Sequence, residues 1–206
     1  MANDYSTSTD AFADISEGNY SSSDYPQMAT FVTVASRLVD REVGRWEGFF
    51  YPTTDTVIRY YNGSGSIEQD IDEFVSISEV AVSEQGSLSS SDYTVWSSSD
   101  YIEWPYNVTP IKRLYVDGLN GSQSGFDRYR KSVRISGIAG YATTPPDLIV
   151  QAVKRQAVRW FMQAKQAYQE TGATAQFGGM TFTVDASLDK DIVNMLRPFV
   201  LELGHA

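Results

Sequence analysis

The chain has 206 residues, 42% of them hydrophobic, a formal net charge of -10, no cysteine and one histidine. That is enough apolar material for one sizeable domain, or for a domain that carries a large insertion. The acidic balance argues against a protein that coats nucleic acid, and the lack of cysteine excludes disulfides, thiolate metal ligands and a cysteine nucleophile.

Residues 1–25 are rich in Ser, Asp and Tyr, contain no Lys or Arg, and hold only scattered apolar residues such as Phe12 and Ile15. This composition predicts a flexible or extended N-terminal arm, either a loose end or a segment that orders on a neighbouring subunit. No basic region followed by an apolar one occurs there, so no signal peptide is expected. No stretch holds the roughly 18 apolar residues of a membrane span.

Ser23-Asp24-Tyr25-Pro26 is a helix-start pattern, a capping residue followed by Pro near the first turn. Met28, Phe31, Val32, Ala35, Leu38, Val39, Val43 and Trp46 then recur at helical spacing, and Pro52 closes the segment. Arg37, Arg41 and Arg45 form a row on another side. Such a row can meet phosphate, but Asp40, Glu42 and Glu47 lie among them, which favours a solvated, ion-paired face.

From residue 54 to 140 the texture changes to short β-branched and aromatic runs. Strands are expected at Thr56–Tyr61, Phe74–Val82, Tyr93–Trp96, Tyr101–Trp104, Ile111–Val116 and Ser132–Ile138. Turn signals separate them, among them Asn62-Gly63, Asp117-Gly118 and Asn120-Gly121. Such close spacing implies an antiparallel sheet or small sandwich.

The stretch from Gly140 to Tyr168 is the best specified. Pro145 and Pro146 suit a first helical turn, Thr143 or Thr144 can cap it, and Asp147 favours its positive end. Ile149, Ala152, Val153, Gln156, Ala157, Trp160, Phe161, Ala164 and Tyr168 make an apolar stripe, with Lys154, Arg155, Arg159 and Lys165 mostly off it. Gly172 ends the pattern. A short strand is possible at Met180–Val184. A last helix starts near Leu188, and Pro198 ends it near Arg197. The fold class is therefore α+β: a helical base of three main helices with an inserted antiparallel β-sheet or small β-sandwich. The division is 1–25 as the arm, 26–52 as the first helix, 53–140 as the β insertion and 141–206 as the rest of the base.

Candidate chemistry is sparse. Glu68, Asp70, Asp72 and Glu73 form an acidic cluster that can be a hard-cation site or a solvated acidic strand, and it lacks the spacing of an EF-hand loop. Arg128, Arg130, Lys131 and Arg134 form a basic island, which either touches an acidic partner or nucleic acid or marks a charged strand edge. The single histidine, His205, leaves no basis for a triad. No catalytic, cofactor-binding or metal residue is assigned, and no enzyme is expected.

Four segments resemble the head–tail connector (adaptor) proteins of tailed bacteriophages. They are Ala35-Ser-Arg-Leu-Val-Asp-Arg-Glu-Val-Gly-Arg45 followed by Phe50-Tyr-Pro52; Trp104-Pro-Tyr with Pro110-Ile-Lys-Arg-Leu-Tyr-Val116; the run from Val133 through Gly140-Tyr-Ala-Thr-Thr-Pro-Pro to Ile149; and Leu188-Asp-Lys-Asp-Ile-Val-Asn-Met-Leu-Arg-Pro-Phe199. The resemblance covers about residues 26–200. It implies a non-catalytic virion protein of the neck, a homo-oligomeric ring of typically twelve subunits below the portal. That ring joins the capsid to a stopper or tail protein and lets DNA pass during packaging and ejection without specific binding. It implies no cofactor and no membrane, a place in the virion, and assembly in the host cytoplasm. It also implies that Leu196, Arg197, Pro198, Phe199, Val200 and Leu203 contact the portal protein; the alternative is that they pack within the chain. Rival readings are another neck or tail-completion protein, or a carbohydrate- or metal-binding β module.

Overall fold

The computed structural model describes residues 3–15, 20–84, 92–172 and 188–201. Two compact units divide the chain: Met1–Phe50 with Pro145–Ala206, and Tyr51–Thr144 between them. The fold is α+β.

The first unit is helical. Helices α1 (Ser8–Ala13), α2 (Asp24–Glu42), α3 (Asp147–Gly172) and α4 (Lys190–Leu196) are followed by a 3-10 turn, Arg197–Phe199. In α2, Met28, Val32, Ala35 and Val39 lie one or two turns apart and are fully buried against α3. The facing stripe of α3 is Ile149, Ala152, Val153, Gln156, Ala157 and Phe161, all inaccessible to solvent. Removing these aliphatic and aromatic groups from water stabilises the unit by about 1.5–3 kcal/mol per large side chain.

Three details depart from expectation. Residues 3–15 are not a loose arm. Thr7 caps α1 by accepting from the Asp10 amide, and Tyr5, Ala11 and Phe12 are buried in this unit. Few apolar residues were needed, because Phe12 stacks on Tyr20 and meets Phe161 edge-on at 5.1 Å, while Tyr5 meets Phe50 edge-on. Pro145 and Pro146 stand just before α3 rather than inside its first turn; the Pro146 carbonyl accepts from the Val150 amide at 3.0 Å. Lys154, off the apolar stripe, is nevertheless buried, with its ammonium 2.8 Å from Asp14.

The second unit is a single six-stranded antiparallel sheet rather than a sandwich. Its strands are β1 (Val57–Tyr61), β2 (Glu68–Val82), β3 (Thr94–Val95), β4 (Tyr101–Trp104), β5 (Ile111–Val116) and β6 (Val133–Ala139). The order is β1-β6-β2-β5-β4, with β3 paired to the far end of β2. Phe74, Val80, Val82, Leu114, Val133 and Ile135 share one face and bury it, together with Trp96 and Phe126 stacked at 4.8 Å.

Strand β2 begins six residues earlier than its apolar pattern implied, because the acidic run Glu68–Glu73 also pairs with β5. Nor is Asn62-Gly63 a tight hairpin, since β6 lies between β1 and β2. Gly63 is needed there for another reason. A Cβ on it would lie 1.8 Å from the Asp127 carbonyl oxygen, a backbone atom that cannot move aside.

Candidate functional site

The expected partner surface begins where α4 stops. Pro198 lacks the N–H that would continue the helix, so the chain tightens into the turn Arg197–Phe199. Leu196 faces inward and is fully buried. Phe199 packs edge-on against Phe50 at 5.4 Å. The Leu201 amide donates to the Val43 carbonyl at 3.0 Å, and Gly44, at φ 72°, brings the end of α2 against the Leu201 side chain. Arg197, Pro198 and Val200 are exposed on this anchored turn. Leu203 lies outside the described residues. Of the six residues, then, Leu196 supports the turn from inside, Phe199 is half-buried, and three can meet a partner directly.

Behind that turn stands a buried polar network that the sequence reading missed. The Tyr5 hydroxyl donates to Asp40 and accepts from the Phe50 amide at 3.3 Å. Asp40 also accepts from the Gly48 amide at 3.0 Å and pairs with Arg37 at 3.1 Å. Arg37 donates in turn to the Asn3 carbonyl at 2.6 Å. Burial pushes both the Tyr5 hydroxyl and the Asp40 carboxyl above their ordinary values, while the donors around Asp40 pull the other way. The network ties the N-terminal segment, the end of α2 and the turn at Phe50 together. The only hint in the sequence was an acid three residues after an Arg, which any surface helix can carry.

The arginine row is accordingly not one solvated face. Arg37 turns inward to Asp40, Arg45 lies over the Phe49 ring at 4.5 Å, and Arg41 is exposed. Together with Val34, Leu38, Trp46 and Trp160 they line an open cleft of about 740 Å³. Asp40 and Glu47 line it as well, so the cleft has an apolar floor and a rim of mixed charge.

Both charged clusters of the sheet unit are partly paired within the chain. Arg113, on the neighbouring strand, pairs with Glu68 at 3.2 Å and Asp70 at 2.5 Å, Lys112 lies 3.9 Å from Glu73, and Tyr61 reaches Asp72. Cross-strand cations thus neutralise the carboxylates that a hard cation would need. Among the described residues no group of three His, Cys, Asp or Glu is placed to hold a metal ion. In the basic island Arg134 sits on β6, inside the sheet, paired with Glu79 at 2.8 Å and lying over Tyr93, while Arg128 and Arg130 are exposed in the loop before it. Lys131 covers the Tyr60 ring at 4.5 Å.

Three exposed apolar groups of this unit, Trp104, Tyr106 and Val108, project at the β4–β5 connection beside a cleft of about 490 Å³, and others, among them Ile58 and Tyr60, lie on β1. No helix among the described residues is long and apolar enough to cross a membrane.

These features define a two-unit α+β protein whose accessible sites are surfaces. No family model and no curated protein matches the chain. Among solved structures, the chain is similar over its whole length to a chain in the neck of an empty GTA particle computed with C6 symmetry, at a TM-score of 0.53 and 10% identity, covering 100% of this chain and 98% of that one. It is also similar to a chain in the virion of the native gene transfer agent (GTA) particle, at a TM-score of 0.49 and 10% identity, with 98% and 93% covered. A third similar chain is in the neck of the native GTA particle computed with C12 symmetry, at a TM-score of 0.44 and 12% identity, with 100% and 98% covered. At such identities the first likeness establishes a shared fold.

Proposed function

We propose that the chain is a structural protein of the neck of a phage-like particle, a head–tail connector subunit without catalytic activity. Its copies form a ring, of twelve subunits in the reading favoured here, that joins the portal to a stopper or tail protein around the DNA path. The observation that carries this is the end-to-end fold correspondence, 100% of one chain on 98% of the other, with a chain from a GTA particle neck. The motif resemblance at Gly140–Ile149 and Leu188–Phe199 supports it independently, as does an architecture whose described residues offer broad open surfaces.

In this reading the turn Arg197–Val200 meets the portal. Pro198 and the Phe199–Phe50 contact hold it in place before docking, which lowers the ordering cost of binding. The acidic excess keeps the channel from gripping DNA, since like charges repel. Assembly takes place in the host cytoplasm and the product resides in the virion.

Electron cryo-microscopy of the assembled particle tests the reading. The chain is expected as a ring between portal and tail, and a position anywhere else refutes it. Removing residues 198–206 abolishes docking on the portal. Because the Phe199 contact also stabilises the fold, Val200→Asp and Arg197→Glu serve as gentler probes. Docking at unchanged strength in all three removes the portal assignment.

A further inference from the structure

Three strands of the sheet unit pair on one side only among the described residues: β1 and β4 at the ends of the strand path, and β3, which at two residues is too short to template another chain. Among the described residues β1 pairs only with β6, and β4 only with β5. An edge strand is a template for another chain unless it is blunted by Pro, Lys, a bulge or an inward-facing charge. Val57–Tyr61 and Tyr101–Trp104 hold no Pro, Lys or bulge, and the single inward-facing charge on each, Arg59 or Glu103, bars any added strand that does not bring the opposite charge.

Their directions and faces match. Every neighbouring pair on the path β1-β6-β2-β5-β4 is antiparallel, so β1 and β4 point the same way. A neighbour related by rotation about a ring axis therefore brings its β1 alongside β4 as a parallel pair. In the observed registers Arg59 stands opposite buried Ile135 and Glu103 opposite buried Leu114, so both are on the core-side face. Ile58 and Tyr60 stand opposite Ser136 and Arg134, and Ile102 and Trp104 opposite Tyr115 and Arg113, on the other face. Of the registers that preserve the faces, the one that sets Val57, Ile58, Arg59 and Tyr60 beside Tyr101, Ile102, Glu103 and Trp104 brings the two opposite charges level. The exposed apolar side chains Ile58, Tyr60 and Trp104 then fall together, and the guanidinium of Arg59 meets the carboxylate of Glu103.

We infer that β1 of one copy adds in parallel to β4 of the next, so that the six-stranded sheets join edge to edge and Arg59 pairs with Glu103 across the junction. The inference rests on the reading of the chain as a ring subunit. Two different edges that complement each other form a head-to-tail interface, the kind that closes a ring, whereas a twofold dimer would pair each edge with itself in antiparallel fashion. Backbone hydrogen bonds supply the attraction and the side-chain pattern sets the register. Glu103 fits the role: its half-buried carboxylate has no cation or hydrogen-bond donor among the described residues, and burial raises its pKa.

Paired thiols test this, because the chain has no cysteine of its own. Adjacent strands lie about 4.8 Å apart, within reach of a disulfide. Mixing Arg59→Cys and Glu103→Cys chains at high concentration under mild oxidation should give a covalent dimer that neither variant gives alone. The double variant should give a ladder of multimers. Self-coupling of either single variant, or no coupling while rings are visible by negative-stain microscopy, overturns the strand pairing and leaves the ring reading intact. A chain that sediments as a monomer at every concentration, and places no ring in the particle, overturns both. As a second line, Arg59→Glu and Glu103→Arg should each weaken assembly at least tenfold, and a chain carrying both should recover it. Failure of the double reversal to recover assembly would falsify the charge pairing.

Discussion

Phe12 decides whether the N-terminal segment belongs to the helical unit. Its side chain is 5% exposed and touches three aromatic rings, with centroid separations of 4.2 Å to Tyr20, 4.9 Å to Tyr25 and 5.1 Å to Phe161. Truncating a buried Phe to Ala costs about 3–5 kcal/mol, of which each lost aromatic pair accounts for about 0.5–1.5 kcal/mol. The segment is short and can detach locally, which limits the global loss to the free energy of that local opening. The expected value for Phe12→Ala is therefore near the lower end, about 3 kcal/mol. With an m-value of about 2 kcal/mol/M, the urea midpoint of the helical unit drops by roughly 1.5 M. Trp46 and Trp160 report on that unit, and replacing Trp96 and Trp104 by Phe removes the signal of the sheet unit. Hydrogen exchange at residues 8–13 should accelerate together with the loss. A midpoint shift below about 0.25 M with unchanged exchange would mean that residues 3–15 do not pack as described.

The Tyr5–Asp40–Arg37 network makes its own demand. Tyr5→Phe leaves a buried carboxylate and the Phe50 amide short of a partner and should cost about 1–3 kcal/mol, measured by the same denaturation. Gln156 is fully buried, and its amide has no hydrogen-bond partner among the described residues, so Gln156→Met should raise the unfolding free energy by about 1 kcal/mol; a loss instead would reveal a polar partner. Arg113→Ala breaks exposed ion pairs with Glu68 and Asp70, and thermal unfolding should show a loss below about 1 kcal/mol that shrinks further in salt. Three carboxyls sit below their ordinary range: Asp24 through Lys165 and the Ser21 amide, Asp100 through the Ser122 and Ser97 amides, and Asp117 through Asn120 and the Leu119 amide. Their folded values are depressed, so the stability they contribute is present above the unfolded value of 3.8 and is lost as pH falls through the folded values. Asp40 acts in the opposite sense, since its raised value makes the charged form costly at neutral pH and that cost fades in acid. Urea midpoints should fall from pH 5 to pH 3, and Asp100→Asn should flatten the fall; a flat wild-type profile would contradict the assignment.

Local chemistry wrote most of the element order into the chain. Periodicity placed α2 and α3, because a helix that buries one side must repeat its apolar residues every three or four positions, as Met28, Val32, Ala35 and Val39 do. Pro198 marked the end of α4, since no neighbour can supply a missing N–H. Five of the six strands lay within a residue of the β-branched runs that announced them. What stayed hidden depended on partners far along the chain. Glu68–Glu73 looked like a solvated or cation-binding run until Arg113 and Lys112 stood across from it on β5. Phe12 looked like an isolated apolar residue until Phe161, well over a hundred positions away, closed on it. The order of strands, and with it the place of β1 and β4 at the two ends of the strand path, is likewise a matter of pairing between distant segments, whose energies no local window contains.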